Sequence, residues 1–264
     1  MLLVDAGSVL FSLPMLLCIV GGIFIGFIDS IAGGGGLISL PMLMAVGMPP
    51  HLAIGTNKFA ATFGNLTSAV QFTKAGKTDL KLVKYMIPFG LLGALCGCSV
   101  MVYLPEKILE PLLLLVLIAA AALVVIKRDL GTKAVPCQPG KKRLVKAIVA
   151  AFLVGIYDGF AGPGAGTFMV VAFAMLGFDC VIAAGNAKVM AVVMNTTGLL
   201  LLIYWQKIVY VYAIVLAISL MVGAYFGSRT AIRRGVGFIR MVMLSVTALL
   251  IVKLVINYVS SWMQ

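Results

Sequence analysis

The sequence predicts an all-α polytopic membrane protein built from two inverted-topology repeats of about five segments each, with one short broken or re-entrant helix per repeat. Three observations predict it. Apolar runs long enough to span a bilayer follow one another along the chain. An aspartate–glycine motif recurs at a nearly constant offset. Basic clusters fall in loops that share one membrane side only if the two halves run in opposite directions.

The apolar runs come from composition. Of 264 residues, 62% are apolar and 11% charged, and mean hydropathy is +1.16; a soluble domain is about 25% charged. The uncharged stretches 85–105, 159–178, 189–206 and 208–228 approach or reach the roughly 20 residues a spanning helix needs. They do not alternate apolar and polar residues, which excludes an outer-membrane barrel. The net charge of +12 sits in loops between apolar runs, as the positive-inside rule requires. No nucleic-acid partner is expected; the bilayer is the expected partner. The cysteines, Cys18, Cys96, Cys98, Cys137 and Cys180, form no C-x-x-C pair and read as small packing residues. The N-terminus lacks a basic n-region and reads as a retained first span.

The repeat is visible in the residues themselves. Gly26 and Asp29 match Gly155 and Asp158 at an offset of 129, as Gly33 and Gly35 match Gly162 and Gly164. After one inserted residue the offset is 130, pairing Gly36 with Gly166, Gly47 with Gly177, Lys58 with Lys188 and Asn65 with Asn195. The register continues through Lys77 with Lys207 and "GALCG" with "GAYFG". The domains are a first membrane repeat, 1–126, a basic cytoplasmic linker, 127–146, and a second repeat, 147–264.

Charge orients the halves. The linker holds seven Lys or Arg against one Asp, and belongs in the cytoplasm. So do Lys74, Lys77, Lys81 and Lys84, and Arg229, Arg233, Arg234 and Arg240. These two clusters occupy different loops of the repeat, so an odd number of segments per half is required. Five are expected near 9–31, 36–48, 53–72, 82–104 and 108–126, and again near 146–161, 165–177, 181–204, 208–228 and 237–257. The rival count is eight spans, with 36–48 and 165–177 re-entrant. In the ten-segment version both termini are periplasmic, and Tyr103, Tyr204, Trp205, Tyr258 and Trp262 form an outer aromatic belt.

The two short segments have about 13 residues each, or about 20 Å of helix, against a hydrocarbon core of about 30 Å. Their glycine-rich starts should lie inside the membrane. Broken helices paired across an inverted repeat point to a transporter binding site. A helix N-terminus offers unpaired N–H groups and partial positive charge, and glycine leaves those groups uncovered. Gly33, Gly34, Gly35 and Gly36 open one short helix; Gly162, Gly164 and Gly166 open the other. Together they suit an anion. The alternative is close helix packing, which is the reading preferred for Gly93, Gly97, Gly223 and Gly227.

Lys58 and Lys188 lie in apolar helices. Each either offers charge to an anionic substrate or forms an ion pair, Asp29 with Lys58 and Asp158 with Lys188. Asn57, Asn65, Asn186 and Asn195, with Thr56, Thr196 and Thr197, flank the lysines. Asn65 and Asn195 stand two turns after their lysine and so share its face; they line a polar cavity or bond between helices. Asp29 and Asp158 are candidates for proton or cation coupling. His51 is placed at a helix entry. No catalytic set, metal site or cofactor motif is present: there is one histidine, and the only glutamates are Glu106 and Glu110. An enzyme is not expected.

With these residues in hand, "GFIDSIAGGGGL" followed by "TNK", and "YDGFxGPGxG" followed by "AK", resemble the TauE/SafE family in its YfcA-like branch. These are the sulfite-exporter or toluene-sulfonate-uptake permeases. The resemblance covers nearly the whole chain. It implies a bacterial inner-membrane transporter of small sulfur-containing anions. Carried over by motif, it implies site positions at Asp29, Gly33, Gly34, Gly35, Gly36, Asn57 and Lys58, with Asp158, Gly162, Gly164, Gly166, Asn186 and Lys188. The expected activity is secondary transport by alternating access; a passive anion channel and a non-transporting membrane subunit are the alternatives, and an oligomer is allowed. The ten-segment topology makes a definite prediction. An alkaline phosphatase fused after Gln264 should be active in the periplasm, and a cytoplasmic reading would remove the odd segment number.

Overall fold

The computed structural model describes residues 13–113, 115–116 and 140–235. Among them the ordered elements are helices: α1 (Leu13–Ala32), α2 (Gly36–Ala45), α3 (Pro50–Lys74), α4 (Leu80–Tyr103), α5 (106–113), α6 (Lys141–Phe160), α7 (Ala165–Met175), α8 (Cys180–Tyr204) and α9 (Tyr210–Gly235). The expected spans 108–126 and 237–257, most of the linker, and Cys137, Arg240, Tyr258 and Trp262 lie wholly or largely outside the described residues. Two expected boundaries shift. The helix of α6 begins at Lys141, so the end of the linker is already helical, and α9 carries Arg229, Arg233 and Arg234 on its last turns rather than in a loop.

Local sequence explains where the helices start and stop. Asp79 caps α4 by accepting from the Leu82 amide at 3.2 Å. Asp179 caps α8 by accepting from the Val181 and Ile182 amides at 2.8 and 3.0 Å; such caps satisfy amides that the helix leaves unpaired. The short helices α2 and α7 end in matching glycine turns. The amides of Gly47 and Met48 reach back to Met44 and Leu43, and those of Gly177 and Phe178 reach back to Ala174 and Phe173. With 10 and 11 residues, these helices are about 15–17 Å long and cannot cross a bilayer alone.

Among the described residues four helices, α1, α4, α8 and α9, are long and apolar enough to cross a membrane. The outside of the bundle is greasy. Leu13, Leu16, Val20 and Phe24 of α1, Val145, Val149 and Leu153 of α6, and Val211, Ile214, Ile218 and Phe226 of α9 are exposed. Lys58, Lys188, Asn57, Asn65, Asn186 and Asp158 are buried. A water-soluble protein rarely exposes contiguous apolar faces of this extent; lipid removes the cost of doing so.

The halves contact each other through matched pairs of interactions with their roles exchanged. Thr56 Oγ1 accepts from the Val209 amide at 3.1 Å, and Asn186 Oδ1 accepts from the Asp79 amide at 2.7 Å. Gly55 faces the Lys207 carbonyl, and Gly185 faces the Lys77 carbonyl. Hence α3 ends where α8 begins, and the two helices run antiparallel. In the same way Gly93 and Gly97 of α4 pack on the α6 backbone at Phe152 and Ile156, while Gly223 and Gly227 of α9 pack on α1 at Ile23 and Phe27. A side chain at any of these four glycines would enter a neighbouring backbone, so the packing role expected for them is the one they have.

The ends of the bundle differ in charge. Lys74, Lys77, Lys81 and Lys84, the Lys141–Arg143 start of α6 and the Arg229–Arg234 end of α9 gather at one end. At the other end Tyr103 and Tyr204 pack on Trp205 with ring centroids 5.5 and 5.6 Å apart. His51, buried in the first turn of α3, also lies there, with Nε2 3.3 Å from the Met101 carbonyl oxygen and Nδ1 3.6 Å from Glu106.

The glycine contacts give a stability prediction. Gly97→Leu or Gly227→Leu should lower the unfolding midpoint in detergent by about 5–10 °C through overpacking, measured by thermal unfolding; an unchanged midpoint would mean these helices can separate without loss.

Candidate functional site

Two helix breaks create the site. In the first half α1 ends at Ala32, and Gly33 takes φ +77°. The Gly35 amide then donates to Asp29 Oδ1 at 2.7 Å. In the second half Gly162 and Gly164 take φ +82° and +80°. Only glycine adopts these angles without strain. The inserted residue of the second break changes the routing: among the described residues no amide donates to Asp158, and the Tyr157 hydroxyl instead donates to the Pro163 carbonyl at 2.5 Å. The breaks touch. A Cβ on Gly33 would lie 2.5 Å from the Gly166 carbonyl carbon, and Thr167 Oγ1 donates to the Ala32 carbonyl at 2.9 Å.

The lysines cross over. Lys58 Nζ donates to Asp158 Oδ2 at 2.9 Å, and Lys188 Nζ donates to Asp29 Oδ2 at 2.7 Å. Lys188 also donates to Asn65 Oδ1 at 2.9 Å. The pairing expected within each half, Asp29 with Lys58 and Asp158 with Lys188, is therefore corrected: each lysine reaches the aspartate of the other half. The reason is geometric. The antiparallel α3 and α8 pass each other at the centre, which carries each ammonium to the opposite break. Lys58 and Lys188 are 1% and 2% exposed, and charges buried so deeply persist only when paired.

Around these pairs lies a cavity of about 50 Å³. Of the residues expected at a site, Asp29, Gly33, Gly35, Gly36, Asn57, Lys58, Asn65, Asp158, Gly162, Gly166, Lys188 and Asn195 line it. Gly34, Gly164 and Asn186 do not. Asn186 stands two residues before Lys188, about 200° away around the helix, so it points to the α4 cap rather than to the cavity. The Gly34 and Gly36 amides have no acceptor among the described residues, which leaves donors at the first break. Asn57 Oδ1 accepts from Ser39 Oγ, and Asn195 Nδ2 donates to the Ala191 carbonyl of its own helix.

Sequence reasoning missed part of the lining. Ser39, Ala61, Ala191, Met194, Leu220 and Ala224 also face the cavity. Ala61 and Ala191 stand three residues after Lys58 and Lys188, so helical phase could have found them. Leu220 and Ala224 of α9 carry no such signal. Among the described residues no group of three or more His, Cys, Asp or Glu side chains is placed to hold a metal. The arrangement can hold a small polar ion between two helix starts, with two ammonium groups and two carboxylates in reach.

This is an integral membrane protein with a charged cavity at the meeting point of two helix breaks, and comparison with known proteins supplies its kinship. The family model described as sulfite exporter TauE/SafE matches residues 18–254. The chain belongs to that family, whose members are membrane transporters and not enzymes. It is 35% identical over 230 residues to the probable membrane transporter protein YfcA of Escherichia coli K12, covering 87% of this chain and 85% of that protein. It is 31% identical over 255 residues to a probable membrane transporter protein of Haemophilus influenzae, covering 95% and 96%. A Sinorhizobium probable membrane transporter protein, ORF9, is 30% identical over 230 residues, with 87% of each chain covered. No solved structure matches.

The crossed pairing can be checked by double-mutant cycles in detergent. Lys58→Gln or Asp158→Asn alone should cost about 3–5 kcal/mol by orphaning a buried charge. The coupling of Lys58 with Asp158 should exceed that of Lys58 with Asp29, whereas pairing within each half reverses that order.

Proposed function

We propose that this chain is a secondary transporter of small sulfur-containing or related organic anions, of the sulfite or sulfonate kind, working by alternating access between two inverted-topology repeats. The observation that carries the reading is the cavity where two helix starts and two buried lysines converge. Broken-helix N-termini at the centre of a membrane bundle are suited to anionic groups. A cavity of about 50 Å³ has room for roughly three to five waters at about 10–15 Å³ each. Sulfite, with four heavy atoms, suits that space better than an aryl sulfonate does.

The inverted relation is supported by the exchanged contacts and by the antiparallel course of α3 against α8. In this reading the repeats are 1–126 and 147–264, joined by the linker 127–146, with five segments in each. The basic end of the bundle faces the cytoplasm of a bacterial inner membrane, and both termini are periplasmic. Access changes when the halves rock about the two breaks. An anion that draws a lysine away from its aspartate leaves a carboxylate able to take a proton or cation. That exchange, at Asp29 or Asp158, would couple anion movement to an ion gradient.

Counterflow in proteoliposomes tests the reading. Labelled sulfite, sulfate, taurine, sulfoacetate and simple carboxylates are offered to the parent protein. Saturable counterflow of at least one sulfur anion is expected, reduced about tenfold or more in Lys58→Gln/Lys188→Gln, as loss of a charge-assisted contact implies. Uptake without counterflow would favour a channel; no uptake by folded protein would favour a non-transporting subunit.

A further inference from the structure

The two ion pairs match in the sequence repeat but not in their surroundings. An ammonium has three N–H donors. Lys188 gives one to Asp29 and one to Asn65, and Asp29 is itself held by the Gly35 amide. This links α8, α1, α3 and the first break through one chain of bonds. Lys58 gives one N–H to Asp158 Oδ2, and its others have no acceptor among the described residues. Asp158 Oδ1 has no donor there either. Asn195, the repeat counterpart of Asn65, donates its amide to its own helix at Ala191. The inserted residue in the second break has taken away the amide that would match Gly35. Lys58 is nonetheless 1% exposed, Asp158 is 5% exposed, and both line the cavity.

We propose that the two pairs divide the labour: Lys58–Asp158 is the exchangeable pair, whose ammonium takes the anion, and Lys188–Asp29–Asn65 is a fixed strut. A buried ammonium with unmade hydrogen bonds is the group that gains most from a bound oxyanion. The strut also borders the cavity, but its ammonium has one N–H left over where that of Lys58 has two, and its carboxylate already accepts from the Gly35 amide. Gly198 of α8 belongs to the working side as a positioning residue. A Cβ there would lie 2.8 Å from Lys58 Cδ and 3.0 Å from its Cε. The bare face of Gly198 therefore fixes the path of the Lys58 stem. Its repeat counterpart is Ser68, which bears a side chain.

The assignment rests on the anion-carrier reading, so its test includes a readout that needs no anion. Reductive methylation of the folded parent in detergent, resolved by mass spectrometry, should modify Lys58 about tenfold faster than Lys188, as an under-bonded buried group exchanges more readily. Equal rates, or faster reaction of Lys188, overturn the assignment whether or not any anion is carried. Two paired variants then separate the roles. Lys188→Met/Asp29→Ala leaves the Gly35 amide and Asn65 without partners, and should lower the unfolding midpoint by about 8 °C or more. Lys58→Met/Asp158→Ala strands no fixed group, and should stay within about 3 °C of the parent. Added sodium sulfite should raise the midpoint of the parent and of the strut variant, but not of the Lys58 variant. Loss of the sulfite response in the strut variant alone overturns the proposal. Gly198→Ala should raise the KM for counterflow about fivefold or more with the maximal rate within about twofold; a fall in maximal rate alone makes Gly198 a packing residue only. Faster Lys58 methylation with no response of the parent to any anion would overturn the carrier reading and, with it, the anion role of Lys58.

Discussion

Two ammonium groups and two carboxylates sit inside a bundle whose outer faces are apolar, and the rest of the structure answers to that burial. An isolated charge at this depth would cost several kcal/mol. The chain satisfies the charges by pairing each lysine with an aspartate from the other half. The pairing therefore fixes the distance between the halves. It also fixes the direction of α3 and α8, since only an antiparallel pair delivers both ammoniums to opposite breaks.

The helix breaks follow from the same requirement. An unbroken α1 would run on through the space beside Asp29 and take the Gly35 amide away from its carboxylate. Gly33, in a left-handed conformation, stops the helix just after the aspartate, and Gly162 does the same after Asp158. The shortened helices α2 and α7 then begin beside the charges, so their N-terminal dipoles and free amides add to the ammonium field. Small residues allow this crowding. Gly33 against Gly166, and the Gly93, Gly97, Gly223 and Gly227 contacts, bring backbones together in a medium that offers little hydrophobic drive between helices.

Repetition gives the halves one plan, and single residues break the equivalence. One inserted residue in the second break reroutes its backbone and leaves Asp158 with fewer bonds than Asp29. Asn65 reaches across to Lys188, whereas Asn195 bonds within its own helix. An alternating carrier can use such inequality, because one pair can open while the other keeps the halves in register. Membership of the TauE/SafE family places these devices in a membrane transporter.

The sequence by itself determined the membrane class and the helices found among the described residues, because apolar length, glycine spacing and charge placement are local properties of the chain. It also pointed to Asp29, Lys58, Asp158 and Lys188, since charged residues in apolar helices stand out without a structure. Only the tertiary structure decided who pairs with whom. Pairing within a half and pairing across the halves satisfy the same composition, and the choice depends on how two helices pass in space. The same holds for Asn186, whose helical phase turns it from the cavity to the cap of α4. It holds too for Leu220, Ala224 and Gly198, ordinary residues in apolar helices that acquire a role only through their position against the charged centre.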